Sequence, residues 1–183
     1  MKASEEILAI WQRFDDKPMD TLMKLWWAHQ SGSGSQRPVS VIKEHYKKYR
    51  VAGNCIDLSL WLLDEFREAG IEAYGITDDI EAERAHIAVV AVDCAGHRYL
   101  CDLGDQWIQP VALDAELVNH QDYAEGFFPA AKVKLLTEGH ITTISYQRPN
   151  GKVSTSTYDT TPLEDSLLLE ISERVQKVFR KTF

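Results

Sequence analysis

The chain has no apolar run approaching the roughly 20 residues that a membrane span requires, and its start, M-K-A-S-E-E-I-L-A-I, lacks the uninterrupted apolar segment of a signal peptide. A cytoplasmic protein with no membrane partner is expected. A basic excess is missing too: 20 Lys and Arg stand against 28 Asp and Glu, for a net charge of -8, and the cations are scattered. This balance argues against nucleic-acid binding by phosphate neutralisation. Cysteine is scarce. Cys55, Cys94 and Cys101 form no C-x-x-C pair and have no histidine at zinc-ligand spacing beside them, so free thiols and no metal are expected. Low-complexity sequence is confined to Q-S-G-S-G-S-Q-R-P at 30–38, which has the composition of a flexible linker. Internal repeats are absent.

What is present suffices for one core. A chain of 183 residues with 44% hydrophobic content is long enough to bury a substantial interior and too short to favour two. The pattern predicts a single domain over 1–183, mainly helical over 1–70, mainly β over 71–160, and closed by a C-terminal helix over 161–183. Helices are predicted at 4–14, with Ser4 as N-cap, at 18–29, and at 39–50. The adjacent Trp26 and Trp27 of the second cannot share one helical face, so one of them is expected to meet a second surface. Strands are predicted at 71–77, 85–92, 131–137, 140–147 and 152–158, with 108–113 a short extended piece and 114–126 irregular or helical. Thr161 as N-cap, Pro162 at the first helical position and Glu164 completing a capping box start the last helix.

The helix that follows Gly53 carries the most information. Asn54 is a good N-cap and Asp57 follows three residues later, which places Cys55 in the first turn. Leu58, Leu60, Trp61, Leu62, Leu63 and Phe66 cover nearly its whole circumference, so the helix is buried, and Gly70 ends it. The fold class is thus α+β: an N-terminal helical part whose buried helix, bearing the candidate nucleophile, packs on an antiparallel β-sheet or β-barrel.

Strand 85–92 is apolar on both faces, and His86 is a polar residue at its end. If Asp93 pairs with His97 across a three-residue loop, Gly96 occupies the left-handed position such loops favour. His86 then faces Gly104, and Asp102 is its same-face diagonal neighbour, while Cys101 turns away. A four-residue loop would put His86 and Asp102 on opposite faces. Glycine at the third loop position favours the first register.

Cys55, His86 and Asp102 are the candidate catalytic residues. A thiol attacks as thiolate, a form favoured by a helix N-terminus and a neighbouring imidazolium. His86 would act as base toward the thiol and acid toward the leaving group, with Asp102 fixing its tautomer. The Cys55 N–H would contribute to an oxyanion hole, worth roughly 3 kcal/mol in other enzymes. Trp107, just beyond Asp102, and Asn54, beside Cys55, are the candidate substrate-binding residues. His29, His45, His97, His120 and His140 fall in predicted surface or loop contexts and are read as solvated.

At these residues the sequence resembles the transglutaminase-like cysteine superfamily, and within it the arylamine N-acetyltransferases. Their pattern is G-G-x-C-[FY]-E opening a helix, a His on an apolar strand, then Y-L-x-D-x-G-[FY]-G. The counterparts are Ala52-Gly53-Asn54-Cys55-Ile56-Asp57, Ala85-His86-Ile87, and Tyr99-Leu100-Cys101-Asp102-Leu103-Gly104-Asp105. Departures are Ala52 for the first Gly, Ile56 for the aromatic, Asp57 for the Glu, and Asp105-Gln106 after Gly104. The resemblance implies a thioester on Cys55, a small-molecule acyl donor, with acetyl-CoA or another acyl-CoA as cosubstrate, an amine acceptor, and no tightly bound cofactor. Two other readings stay open: a transglutaminase-like amide or peptide hydrolase or transamidase with the same three residues, and a non-catalytic binding module.

Overall fold

A computed structural model describes residues 2–105, 107–114, 123–127 and 131–178. Helix α4, Cys55–Glu68, lies at its centre, with α1 (Glu5–Trp11, continued by a 3-10 turn over Gln12–Phe14) and α3 (Val39–Tyr49) packed against it. The predicted capping box is formed: Asn54 Oδ1 accepts the Asp57 N–H at 3.1 Å, and Asp57 Oδ2 accepts the Asn54 N–H at 3.1 Å. At the other end Gly70 takes a φ of +72°, and the Ile71 N–H reaches back to the Phe66 carbonyl at 2.9 Å. Between the caps Ile56, Leu58, Leu62, Leu63 and Phe66 are buried, as all-round hydrophobicity requires.

The helix rests on an antiparallel sheet. Its strands are β1 (Ala73–Thr77), β2 (Ile87–Val92), β3 (Arg98–Cys101), β4 (Val111–Ala112), β5 (Ala124–Phe127), β6 (Ala131–Glu138), β7 (Ile141–Gln147) and β8 (Val153–Asp159). They stand in the order β4-β3-β2-β1-β8-β7-β6-β5. The α+β class is as expected, and β2, apolar on both faces, is an interior strand against which α4 packs. The halves join where Thr77 of β1 pairs with Asp159 of β8. Helix α5 (Asp165–Gln176) docks through Leu168, Ile171 and Val175, with Leu168 seated over Gly75 of β1. Among the described residues no helix is long and apolar enough to cross a membrane.

Four expectations need correction, each for a tertiary reason. Helix α2 spans Leu22–Ser31 and not 18–29, because Met19 forms a β-bridge with Gly53 and the Asp20 N–H donates to the Gly53 carbonyl at 2.7 Å. The 30–38 stretch is not a free linker: Gln36 is 8% exposed and Arg37 only 1%, both held by groups of α4. Thr161 does not cap α5, which starts at Asp165 after Glu164. Its N–H goes instead to Asp159 Oδ1, and the Leu163 N–H pairs with the Gly75 carbonyl at 3.0 Å. Finally, Ala124–Phe127 is a strand paired to β6, not irregular or helical. The rest of that span, 115–122 with His120, and the predicted helix beyond 178 lie outside the described residues.

Candidate functional site

The β2–β3 hairpin has the predicted register. The Asp93 N–H donates to the His97 carbonyl at 2.9 Å, Gly96 has a φ of +85°, and Val92 faces Arg98. Two-residue alternation then brings His86 and Asp102 to one face. His86 Nε2 lies 3.0 Å from both carboxylate oxygens of Asp102. Asp102 has no exposed surface and accepts two further hydrogen bonds, from the Asp105 N–H at 2.9 Å and from the Tyr158 hydroxyl at 3.0 Å. Tyr158 comes from β8, and its sequence position gives no hint of this role. Cys101 points the other way and is wholly buried, which pushes its thiol up.

Electrostatics follow from this geometry. Burial disfavours the imidazolium of His86, but the charge and hydrogen bond of Asp102, helped by the Cys55 thiol, outweigh it and hold His86 well above its ordinary value. For Asp102, burial acts upward, and the His86 charge together with the His86, Asp105 and Tyr158 donors overrides it, leaving the carboxyl below the usual carboxylate range. Both shifts favour the imidazolium–carboxylate form of the pair. With Nε2 engaged by Asp102, Nδ1 is the ring nitrogen left for a thiol.

Gly104 explains how Cys55 comes close. A Cβ placed on Gly104 would sit 2.5 Å from Cys55 Cβ and 2.6 Å from His86 Cε1. Cys55 and His86 therefore both abut the bare Cα of Gly104, and any side chain there would wedge into both. The sequence shows the glycine in its D-L-G pattern; the reason for it appears only when three chain segments meet.

The N-terminus of α4 is fixed by a buried polar network. Arg37 Nη2 donates to Asp57 Oδ2 and to the Ala52 carbonyl, both at 2.8 Å, and Nη1 donates to His45 Nδ1 at 3.2 Å. Gln36 Nε2 donates to Asp57 Oδ1 at 2.9 Å, and Gln176 Nε2 of α5 donates to Gln36 Oε1 at 2.7 Å. Gly53, with a φ of +142°, passes so close that a Cβ there would lie 2.2 Å from Asp57 Oδ2. His45, read as solvated, is half-buried here, between Arg37 and the rings of Trp26 and Trp27. Burial and the Arg37 charge hold it below its ordinary value.

Of the two candidate substrate-binding residues, Asn54 is 4% exposed, and its carboxamide is engaged by the Asp57 N–H and by Gln176 Oε1 at 3.0 Å. Trp107 lines a cavity of about 300 Å³ with Trp11, Phe14, Met19, Leu103 and Ile108. Met19 is bridged to Gly53, and Leu103 adjoins Gly104, so the cavity flanks the cysteine–histidine group. His86, Asp102 and Asp105 present ligand-type atoms within 4.8 Å of one another, but the first two are hydrogen-bonded together. A second such set, Asp64, Glu65 and Glu68, surrounds the ammonium of Lys43.

The architecture is a cysteine-headed helix packed on an antiparallel sheet that carries the histidine–aspartate pair. Solved structures narrow it to the arylamine N-acetyltransferase fold. A variant of the Mycobacterium smegmatis N-arylamine acetyltransferase superposes with a TM-score of 0.65 at 18% identity, over 94% of this chain and 64% of that one. The Bacillus cereus enzyme, whose structure reveals a Cys-His-Glu catalytic triad, gives 0.61 at 12% identity over 96% and 73%. The Mycobacterium marinum enzyme in complex with CoA gives 0.60 at 12% identity over 78% and 55%. The chain thus spans less than two thirds of the length of the M. smegmatis protein. No protein-family model and no curated protein matches the sequence.

Proposed function

We propose that the chain is a cysteine-nucleophile acyltransferase of cytoplasmic setting, in which Cys55 takes an acyl group from acetyl-CoA or another acyl-CoA and passes it to an amine. The observation that carries this reading is the Cys55–His86 approach across Gly104, with Asp102 anchoring the far side of the imidazole. In the first step the Cys55 sulfur attacks the acyl carbonyl, the C–S bond to coenzyme A breaks, and His86 gives its Nδ1 proton to the leaving thiolate. Asp102 keeps the ring oriented and its cation stabilised. Backbone N–H groups at the start of α4, including that of Cys55, face the developing oxyanion with the positive end of the helix dipole behind them. The neutral His86 then takes a proton from the amine as it attacks the thioester. The cavity beside Trp107 supplies room for the apolar part of a small substrate.

The test is intact-mass measurement after exposure to acetyl-CoA. An acetyl adduct is expected on the wild type and on neither Cys55→Ser nor His86→Gln. No adduct on the wild type, with the protein folded and its thiol open to alkylation, would remove the reading. Release of an amine from amide substrates without coenzyme A would replace it with hydrolysis.

A further inference from the structure

Asp105 follows Gly104 directly, where the resembled pattern carries an aromatic residue. Its N–H donates to Asp102 Oδ1 at 2.9 Å, and the Tyr146 hydroxyl of β7 donates to its Oδ2. Those two bonds fix the carboxylate within 4.8 Å of the ligand-type atoms of His86 and Asp102. Oδ1 receives no hydrogen bond from any described residue, and among those residues no lysine or arginine pairs with this side chain. Asp105 is half-buried, whereas Asp102 beneath it is closed off. Among the described residues the arrangement is thus a carboxylate held on one oxygen and without a donor on the other, beside the His86–Asp102 pair.

Burial and the Asp102 charge both act against a second anion here, and they hold the Asp105 carboxyl above the usual carboxylate range. A ligand cation is the partner that would relieve this unfavourable juxtaposition. A neutral aromatic amine offers Asp105 no cation once His86 has given up its proton to the leaving thiolate. An aliphatic amine with a second charged nitrogen would supply one.

We infer that the acceptor is a small aliphatic amine carrying a second, cationic nitrogen, and that Asp105 Oδ1 binds this ammonium while the neutral amine attacks the acyl group on Cys55. This rests on the acyltransferase reading above. The step balances without any further reactant: the amine lone pair forms the C–N bond, the C–S bond to Cys55 breaks, the sulfur leaves as thiolate, and the amine proton passes to neutral His86. Asp105 takes no proton and acts only in binding the acceptor.

The experiment compares putrescine, n-butylamine and aniline as acceptors, with acyl-enzyme formation from acetyl-CoA and from p-nitrophenyl acetate followed separately by intact mass. The expected kcat/KM for putrescine exceeds that for n-butylamine by at least about tenfold, the order for one charge-assisted contact. In Asp105→Asn that ratio falls toward one, through KM for putrescine. Because the ratio is taken within each variant, a partial loss of folded protein cancels, and Asp105→Ser serves as a second variant. A wild-type ratio near one, or a ratio kept in both variants, overturns this inference and leaves the acyltransferase reading standing. If neither donor yields an adduct on the wild type, both are overturned.

Discussion

At Gly104 the missing Cβ sets how closely two side chains approach. The residue has no positive φ, so conformational freedom is not what requires glycine there. What requires it is space, since Cys55 Cβ and His86 Cε1 lie 2.5 and 2.6 Å from the position a methyl group would take. Gly104→Ala is expected to lower stability by about 1–3 kcal/mol, the range for overpacking a close-fitted site, and to lower acyl-adduct formation on Cys55 by at least about a hundredfold, since a displacement of about 1 Å costs that much. Urea denaturation and timed intact-mass measurement read the two effects. An alanine variant that acylates at the wild-type rate would show that the contact is slack. The trio itself was legible in the sequence because each member sits at a recognisable local feature: a helix cap, a strand end, a D-L-G turn. Tyr158 and Tyr146, which hydrogen-bond Asp102 and Asp105 from distant strands, were not, because nothing local to them marks the contact.

Elements divide in the same way between local and distant causes. The β2–β3 register followed from one loop glycine, and α4 followed from its own caps and periodicity. The 30–38 segment has the Ser- and Gly-rich composition of a linker, yet its last residues supply Gln36 and Arg37 to the base of α4. A buried guanidinium is tolerated only where its charge is met, and the partner, Asp57, lies on a different element. Arg37→Met is expected to cost about 3–5 kcal/mol in urea unfolding, because it leaves the Asp57 carboxylate buried with its main counter-charge gone. Arg37→Lys should recover only part of this, since one ammonium lacks the planar fork that serves Asp57, the Ala52 carbonyl and His45 together. Equal stability of the methionine variant and the wild type would mean that Gln36 and the Asn54 N–H alone suffice for Asp57. Helix α5 starts later than its sequence suggests for a related reason: Thr161-Pro162 has the chemistry of a helix start, but the adjoining Leu163 N–H is drawn into pairing with Gly75 of β1.

Across the whole molecule the His86–Asp102 pair joins the end of β2, the turn after β3 and, through Tyr158, the far half of the sheet. Its contribution to folding therefore depends on pH in a direction that can be worked out. His86 is raised in the folded state from an ordinary value of 6.5, so its share of stability is full below that pH and is lost as pH rises through the folded value. Asp102 is lowered from 3.8, so its share is full above that pH and is lost as pH falls through the folded value. Both shares are complete only between about pH 4 and 6.5. His45 acts in the opposite sense, since burial and Arg37 hold it below its ordinary value and favour folding as pH rises. A single stability profile mixes the two histidines, whereas the difference between wild type and His86→Gln removes the His45 contribution. That difference, from urea midpoints taken at intervals from pH 5 to 9, is expected to be largest at the acid end and to shrink steadily above about pH 6.5. A difference that grew with pH would mean that His86 is held neutral in the folded protein, and the charge assignment behind the proposed proton transfers would fall with it.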